Sequence, residues 1–237
     1  MATLQDKLTK RFHKACADYG LIADGDHILI GLSGGKDSLA LVELLGRRAK
    51  IYKPRFRVTA LHVRVKERAY RTDMSYLENF CREAGVPLLV RDVEIGESYS
   101  GPANPCFLCS WYRRKELFNV AQEIGCNKIA LGHHRDDVVQ TLLMNLIYQG
   151  AVAAMPPKLK MDKMPIELIR PLYLIDEEDL IAYAAERGYQ KQVKLCPFEH
   201  VSSREKVKDL LAQIKTLNPE AMDSIYGAIH NIKENYL

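Results

Sequence analysis

The sequence lacks any long uninterrupted apolar segment. Charged residues break every candidate before it reaches the roughly 18 apolar residues that a membrane-spanning helix requires. The N-terminal stretch 1–18 mixes acidic and basic residues and has no apolar core of the kind found in export signals. We therefore expect a cytoplasmic protein with no membrane partner. The six cysteines are then expected to be reduced thiols, metal ligands or catalytic groups rather than disulfides.

The sequence also lacks internal repeats, low-complexity segments and the polar bias of disordered proteins. Of its 237 residues, 47% are hydrophobic and 27% are charged, which is ordinary for a folded globular protein. The formal net charge of +4 is too small to indicate a nucleic-acid partner by itself. The basic residues, however, concentrate at 53–71, 113–115 and 158–163, the last on an expected loop. Such clusters are either solvated surface or contacts for a polyanion.

Short apolar runs alternate with amphipathic segments along most of the chain. Runs that suit buried strands lie at 27–32, 57–65, 87–93, 128–131 and 168–172, and helical patterns lie between them. This alternation predicts an α/β fold, with an open parallel sheet of about five strands and helices on both faces. We expect an N-terminal helix in 1–24, a nucleotide-binding domain in 25–190, and a cysteine-containing loop with a C-terminal helical extension in 191–237.

The first predicted strand runs into a glycine-containing loop that opens a helix. The loop residues are Ser33, Gly34, Gly35, Lys36, Asp37 and Ser38. Glycines let backbone amides approach an anion, and a helix N-terminus favours negative charge. The loop is not a Walker A motif, which requires glycine where this chain has Ile30 and Ser or Thr where it has Asp37. A carboxylate beside phosphate is favourable when Mg²⁺ lies between them, so Asp37 is a candidate metal-holding residue.

This loop and a later motif resemble the PP-loop ATPases, whose signature is SGGxDS. The later motif is Leu131-Gly132-His133-His134-Arg135-Asp136-Asp137. Both follow the carboxyl ends of predicted strands, where open α/β sheets bind ligands. The resemblance implies cleavage of ATP between its α and β phosphates, with transfer of AMP. We expect the loop 33–38, Gly132 and His133 to contact the nucleotide, and Asp37 and Asp136 to position Mg²⁺.

Two cysteines form a CxxC pair, Cys106 and Cys109, at a helix start where thiolates are favoured. By itself the pair suits a redox couple, half of a zinc site or half of an iron–sulfur site. No second CxxC completes a four-cysteine zinc site, and Cys196, in a Leu-Cys-Pro sequence, is a further candidate ligand. Cys16 and Cys81 fall on apolar helix faces and suit core packing. The spacing does not decide between iron and zinc.

Together the motifs closely resemble the tRNA 2-thiocytidine synthetase (TtcA-like) family. They are SGGKDS, PCxxC, LGHHRDD, the sequence Met155-Pro156-Pro157-Lys158 and a late cysteine, spread over about 27–196. The resemblance implies ATP, Mg²⁺ and a [4Fe-4S] cluster on Cys106, Cys109 and Cys196. It implies tRNA as a partner with a sulfur donor such as a cysteine desulfurase, and it is compatible with a homodimer. Val193 stands where family members often have a further cysteine.

The expected function is ATP-dependent tRNA thiolation. AMP is transferred to the 2-oxo group of a cytidine, and sulfur then replaces it. Two alternatives stay open: a PP-loop enzyme that adenylates another tRNA base or a small molecule, and a non-catalytic sensor that binds ATP and a cluster. The basic clusters are predicted to contact tRNA phosphates through Arg64, Arg68, Arg113, Arg114 and Lys158.

Overall fold

The computed structural model describes residues 3–67, 70–71, 73–96, 105–190, 193–194, 203–233 and 235 of the chain. Within them the helices are α1 (Leu4–Asp18), α2 (Lys36–Ala49), α3 (Met74–Ala84), α4 (Pro105–Glu123), α5 (Arg135–Gln149), α6 (Glu177–Glu186), α7 (Ser203–Leu217) and α8 (Ala221–Ala228). The strands are β1 (His27–Gly31), β2 (Arg57–Val65), β3 (Tyr70–Arg71), β4 (Leu88–Val93), β5 (Lys128–Ala130), β6 (Lys158–Lys160), β7 (Glu167–Ile169) and β8 (Val193–Lys194).

The central sheet has six strands in the order β4-β2-β1-β5-β7-β6. Five of them pair in parallel, which confirms the predicted open α/β sheet, and β6 pairs antiparallel with β7 at the edge. The expected loop around Lys158 is therefore wrong at 158–160, which forms this edge strand. The two residues of β3 pair antiparallel with those of β8 in a separate small ribbon.

The strands are buried on both faces because helices cover each side. In β1, Ile28 and Ile30 pack into the main core with α2, whereas Leu29 between them packs into a second core with Val120 and Ala121 of α4. This alternation is the period of two that a strand imposes on its side chains. It explains why the strand sequences are continuous apolar runs.

The N-terminal and C-terminal helices pack in different hydrophobic clusters. In α1, Leu8 and Phe12 are fully buried members of the main core. The C-terminal helices α7 and α8 instead pack on α5, where Val207, Leu211 and Met222 surround Val139. Among the described helices, none combines the length and apolar character that a membrane crossing needs.

We predict that Gly46→Ala lowers the free energy of unfolding by about 1–3 kcal/mol, as overpacking does. An added Cβ would lie 2.6 Å from the carbonyl oxygen of Ala84 and 3.0 Å from Cγ2 of Val86, so α2 and α3 would have to separate. Gly227→Ala is the control, because no heavy atom lies within 4 Å of its added Cβ. Denaturant titration measures both variants, and equal stability of the two would contradict this account of the packing.

Candidate functional site

The glycine-containing loop joins the carboxyl end of β1 to the first turn of α2 and is fixed by its own side chains. Gly34 has a φ of +85°, which favours glycine at this position. The Gly34 amide donates to Ser38 Oγ at 3.1 Å, and Ser38 Oγ donates to the Gly35 carbonyl at 2.9 Å. Ser33 Oγ lies 3.1 Å from Ser38 Oγ. The two hydroxyls therefore hold the turn in one shape.

The first turn of α2 begins without a side-chain cap. Gly35 is the N-cap residue and has no side chain that could accept from the helix amides. The N-terminal amides of a helix lack partners within the helix and favour an anion. The first turn of α2 therefore suits a phosphate group. Its amides belong to Lys36, Asp37 and Ser38.

The second predicted motif meets this turn through backbone contact. An added Cβ on Gly132 would lie 3.1 Å from the carbonyl carbon of Asp37 and 3.2 Å from the amide nitrogen of Ser38. Only glycine permits such an approach without displacement. Gly132 was predicted to contact the nucleotide, and the structure places it as the spacer between the two motifs.

Carboxylates surround His134, which is 4% exposed. Its Nδ1 lies 3.7 Å from Asp136 Oδ2, and its Nε2 lies 3.5 Å from Asp137 Oδ2. Burial opposes a charge on this ring, but Asp136, Asp137 and Asp37 raise its pKa above the ordinary value. Burial likewise opposes the charged form of Asp136, yet His134 and the amide of Glu177, which donates at 2.8 Å, lower its pKa.

Glu177, at the start of α6, links the glycine-containing loop at 33–38 to the C-terminal helices. Its carboxylate lies 3.3 Å from Lys36 Nζ and 3.1 Å from Lys208 Nζ of α7. Burial raises the pKa of Glu177, but Lys208 and Lys36 lower it overall. Arg204, also in α7, lies 3.5 Å from Asp137 Oδ1. Helix α7 therefore supplies two cations to the acidic cluster.

The pKa of His133 is shifted in the direction opposite to that of His134. Burial lowers the pKa of His133 to about 4, so its ring is neutral near neutral pH. Its Nδ1 is buried and has no hydrogen-bond partner within the described part of the chain. A neutral imidazole with an unused nitrogen suits a polar group of a ligand, and the position of His133 near a nucleotide stays a prediction.

The CxxC pair lies in the first turns of α4. Cys106 is partly buried, and Cys109 is 3% exposed, in a cluster with Val65 and Ile95. Val65 ends β2 and Ile95 follows β4, so this turn lies at the carboxyl ends of the parallel strands. The glycine-containing loop after β1 lies at the same end of the sheet. The third predicted ligand, Cys196, lies outside the described residues.

The remaining thiols of the described residues suit core packing. Burial raises the pKa of Cys16 to about 12 and that of Cys81 and Cys126 to about 11. These three thiols therefore stay protonated near neutral pH. Protonated, buried thiols are poor metal ligands and poor nucleophiles.

The predicted nucleic-acid residues fall into different surroundings. Arg64 is partly exposed and forms a bidentate pair with Asp92 across β2 and β4, at 2.6 and 2.8 Å. Arg114 is exposed on α4, where Arg113 is partly buried. Lys158 is exposed in β6 and donates to the Gly20 carbonyl at 3.3 Å. The remaining predicted residue, Arg68, lies outside the described residues.

Sequence reasoning missed the residues that join distant segments. Glu177, Arg204 and Lys208 carry no local motif, and their helices look like ordinary amphipathic ones. One signal was available for Glu177: it opens a helix shortly after a predicted strand, at the edge where ligands bind. No local signal distinguishes Arg204 or Lys208 from solvated charges.

The chain resembles a known family, known proteins and solved structures over most of its length. Residues 3–192 match the model of the PP-loop domain. The tRNA-cytidine(32) 2-sulfurtransferase of Alcanivorax borkumensis is 35% identical, over 99% of this chain and 84% of that protein. Its counterpart in Syntrophotalea carbinolica is 38% identical, over 98% of this chain and 91% of that protein.

Two solved structures have a fold similar to that of this chain. The U34-tRNA thiolase NcsA from Methanococcus maripaludis, solved with its [4Fe-4S] cluster, has a TM-score of 0.77 at 26% identity. That match covers 96% of this chain and 78% of the thiolase. The NH3-dependent NAD synthetase from Campylobacter jejuni has a TM-score of 0.53 at 13% identity, over 99% of this chain and 95% of the synthetase, which shows a shared fold alone. With its two joined motifs and near-complete matches to these relatives, the chain belongs to the PP-loop family of tRNA-cytidine 2-sulfurtransferases.

Proposed function

We propose that this protein thiolates a tRNA cytidine, the one at position 32 that the relatives' names specify, in a reaction that consumes ATP. The observation that carries the proposal is the contact of Gly132 with Asp37 and Ser38, which joins the two motifs at one point. The thiol-bearing turn of α4 lies at the same edge of the sheet. Nucleotide activation and sulfur chemistry therefore share one side of the molecule.

We assign the phosphates of ATP to the start of α2. The uncapped amides and the Lys36 ammonium supply positive charge, and His133 supplies a neutral polar group. In the structure Lys36 lies 3.0 Å from Asp37 Oδ1 and 3.3 Å from Glu177. These carboxylates compete with phosphate for the ammonium. The phosphates can therefore pair with Lys36 only if its ammonium leaves these carboxylates, or if a cation that binds with ATP pairs with the carboxylates.

Mg²⁺ is the cation that the donor set fits. Asp37, Asp136, Asp137 and Glu177 carry oxygen atoms of the kind that Mg²⁺ prefers, and Asp37 Oδ1 is buried with the Lys36 ammonium 3.0 Å away. No group of three or more metal-ligating side chains lies together in the part of the chain that the structure describes. Mg²⁺ in ATP-dependent enzymes uses one or two carboxylates together with substrate phosphates. We propose that Asp37 and Asp136 hold it when the nucleotide is bound.

The chemistry proceeds in two substitutions. The 2-oxo oxygen of cytosine attacks the α-phosphorus of ATP, and pyrophosphate leaves. A sulfur nucleophile then adds at C2, and AMP leaves with the former oxygen. The protein aligns the two reactants and neutralises the charge on the leaving groups through Lys36 and the α2 amides.

The thiols of α4 fit an iron–sulfur cluster. Cys106 and Cys109 stand three residues apart at a helix start, and cysteine thiolates are the ligands of [4Fe-4S] clusters. We propose that these two residues and Cys196 hold such a cluster, since NcsA, the solved U34-tRNA thiolase, contains one. Held by these three residues, the cluster would keep one iron without a protein ligand and would supply sulfur for the reaction.

Partners and surroundings follow from this activity. We propose a sulfur donor such as a cysteine desulfurase, a cytoplasmic location and a homodimer. We propose that the divisions at 1–24, 25–190 and 191–237 are functional, with the third segment supplying Arg204 and Lys208 to the nucleotide site. Arg64, Arg68, Arg113, Arg114 and Lys158 remain our predicted contacts for tRNA phosphates.

We predict that Gly132→Ala weakens ATP binding by about tenfold. The new methyl group would push the Asp37 backbone away by a few tenths of an ångström and misalign the amides offered to the phosphates. A tenfold loss of affinity is about 1.4 kcal/mol, roughly the net contribution of one hydrogen bond. Calorimetric titration with a non-hydrolysable ATP analogue measures the affinity. Gly46→Ala is the control, because it perturbs packing between α2 and α3 and leaves the loop in place. Equal losses in both variants would mean that Gly132 acts only on stability.

We predict that Asp37→Ala abolishes formation of AMP and pyrophosphate while the melting temperature stays within a few degrees of wild type. Asp37 serves the bound metal and nucleotide and is not part of the core. The assay incubates protein, tRNA, ATP, Mg²⁺ and sulfide, and measures pyrophosphate together with thiolated nucleosides by mass spectrometry. Glu178→Ala, which removes a carboxylate with an 86% exposed side chain, should behave as wild type. Wild-type AMP release by Asp37→Ala would refute the assignment.

We predict that protein purified without oxygen is brown and holds about four irons, as a [4Fe-4S] cluster requires. Alanine at Cys106, Cys109 or Cys196 should remove the colour, the iron and thiolation. Alanine at Cys16 should remove none of these, because its buried thiol stays protonated. Metal analysis and absorption spectra provide the measurement. Stoichiometric zinc without iron would overturn the cluster assignment.

A further inference from the structure

The solvent face of α4 carries two aromatic rings and two cations. Phe107, Trp111, Arg114 and Lys115 are spaced by four, seven and eight residues from the first, which places them on one face of the helix. Phe107 is 60% exposed and Trp111 is 44% exposed. The opposite face holds the buried Cys109 and Val120 and packs on the sheet.

This composition is unusual for a solvated helix face. One exposed aromatic side chain is common and needs no explanation. Two rings one turn apart, followed within a turn by two cations, match surfaces that stack unpaired bases and contact phosphates. Within the described part of the chain, Arg114 donates to the Ser110 carbonyl at 3.2 Å, and Lys115 Nζ lies 5.2 Å from the centre of the Trp111 ring. Neither contact brings a carboxylate to this face, so both positive charges remain for a polyanion.

The position of this face in the fold indicates what kind of partner it binds. Phe107 lies between the two cysteines of the CxxC pair, and Trp111 follows the second one by two residues. Cys109 packs against Val65 and Ile95 at the carboxyl edge of the sheet. The face therefore begins beside the thiols that serve the reaction.

The reaction itself calls for such a surface. The 2-oxo group lies on the pairing edge of cytosine and is accessible when the base is unpaired. An enzyme that modifies a base must take it out of its stack, and unstacking costs a few kcal/mol. Sequence-specific RNA recognition likewise uses aromatic side chains that stack on splayed loop bases. A stacking surface beside the reaction site would hold the bases next to the displaced cytidine.

We propose that Trp111 and Phe107 stack on unpaired loop bases of the tRNA substrate, and that Arg114 and Lys115 contact the flanking phosphates. This inference rests on the proposed function, because it takes a tRNA loop as the ligand. The Lys115 ammonium over the Trp111 ring restrains both side chains before RNA binds.

Trp111 is the one tryptophan of the chain, so wild-type protein reports directly on this contact. The experiment titrates the full-length protein, purified without oxygen, with a tRNA anticodon stem-loop and with a fully duplex RNA of equal length. We expect the stem-loop to quench tryptophan fluorescence strongly and the duplex to quench it little, since duplex bases are not available for stacking.

Variants test the same contact through affinity. We expect Trp111→Ala to weaken stem-loop binding by about 5- to 100-fold, the range for one stacked base, and Trp111→Phe to restore most of it. Arg114→Ala should weaken stem-loop and duplex binding alike and reduce the salt slope by about one unit. Tyr52→Ala is the matched control, because this ring is 69% exposed and lies beside a cation, Arg55. It belongs to the segment before β2, at the amino ends of the parallel strands and away from the CxxC pair. It should bind RNA as wild type does.

Four outcomes decide the matter. Loop-dependent quenching, with weakened binding by Trp111→Ala and recovery in Trp111→Phe, supports the proposal. Unchanged fluorescence and affinity in a protein that still thiolates tRNA would overturn the stacking surface and leave the proposed function standing. Absence of both RNA binding and thiolation in the wild-type protein would overturn the two together. A change of oligomeric state in Trp111→Ala without RNA, measured by sedimentation, would assign the face to a second copy of the chain and contradict the proposal.

Discussion

The site depends on one backbone contact, the approach of Gly132 to the peptide between Asp37 and Ser38. β1 and β5 are parallel neighbours, with Ile30 paired to Ala130, so the segments that follow them emerge side by side. A side chain at position 132 would hold those segments apart. With glycine there, His133, His134 and Asp136 are brought beside the first turn of α2. Two motifs that lie almost a hundred residues apart thereby act as one site.

Charge balance explains why the site extends beyond these two motifs. Four partly buried carboxylates border the site, on Asp37, Asp136, Asp137 and Glu177, and burial disfavours the charged form of each unless a cation lies near it. Lys36 belongs to the loop itself. Lys208 and Arg204 come from α7 and pair with Glu177 and Asp137. The C-terminal helices therefore supply cations to the carboxylates beside the proposed nucleotide site.

The sequence allowed the parallel sheet to be predicted because buried strands read as continuous apolar runs. β2 has the predicted bounds, and β1, β4 and β5 begin or end one residue from theirs. The strand β6 was missed, since a three-residue segment with two lysines has no apolar pattern and depends on pairing with β7. The same reasoning applies to the site. The loop and the LGHHRDD motif are local signals, whereas Glu177 lies 141 residues from Lys36 and is recognisable only after folding.

The distribution of basic residues shows why charge clusters in a sequence do not by themselves locate a nucleic-acid surface. The largest cluster, at 53–71, contributes Arg64 and Lys66 to the carboxyl end of β2. There the parallel register sets Arg64 beside Asp92, and Lys66 pairs with Glu94. Acids that are distant in sequence therefore balance the charge of these two cations. On α4 the contacts of Arg114 and Lys115 are a carbonyl and an aromatic ring, which leave both positive charges in place. These two cations are consequently better placed than Arg64 and Lys66 to attract phosphate.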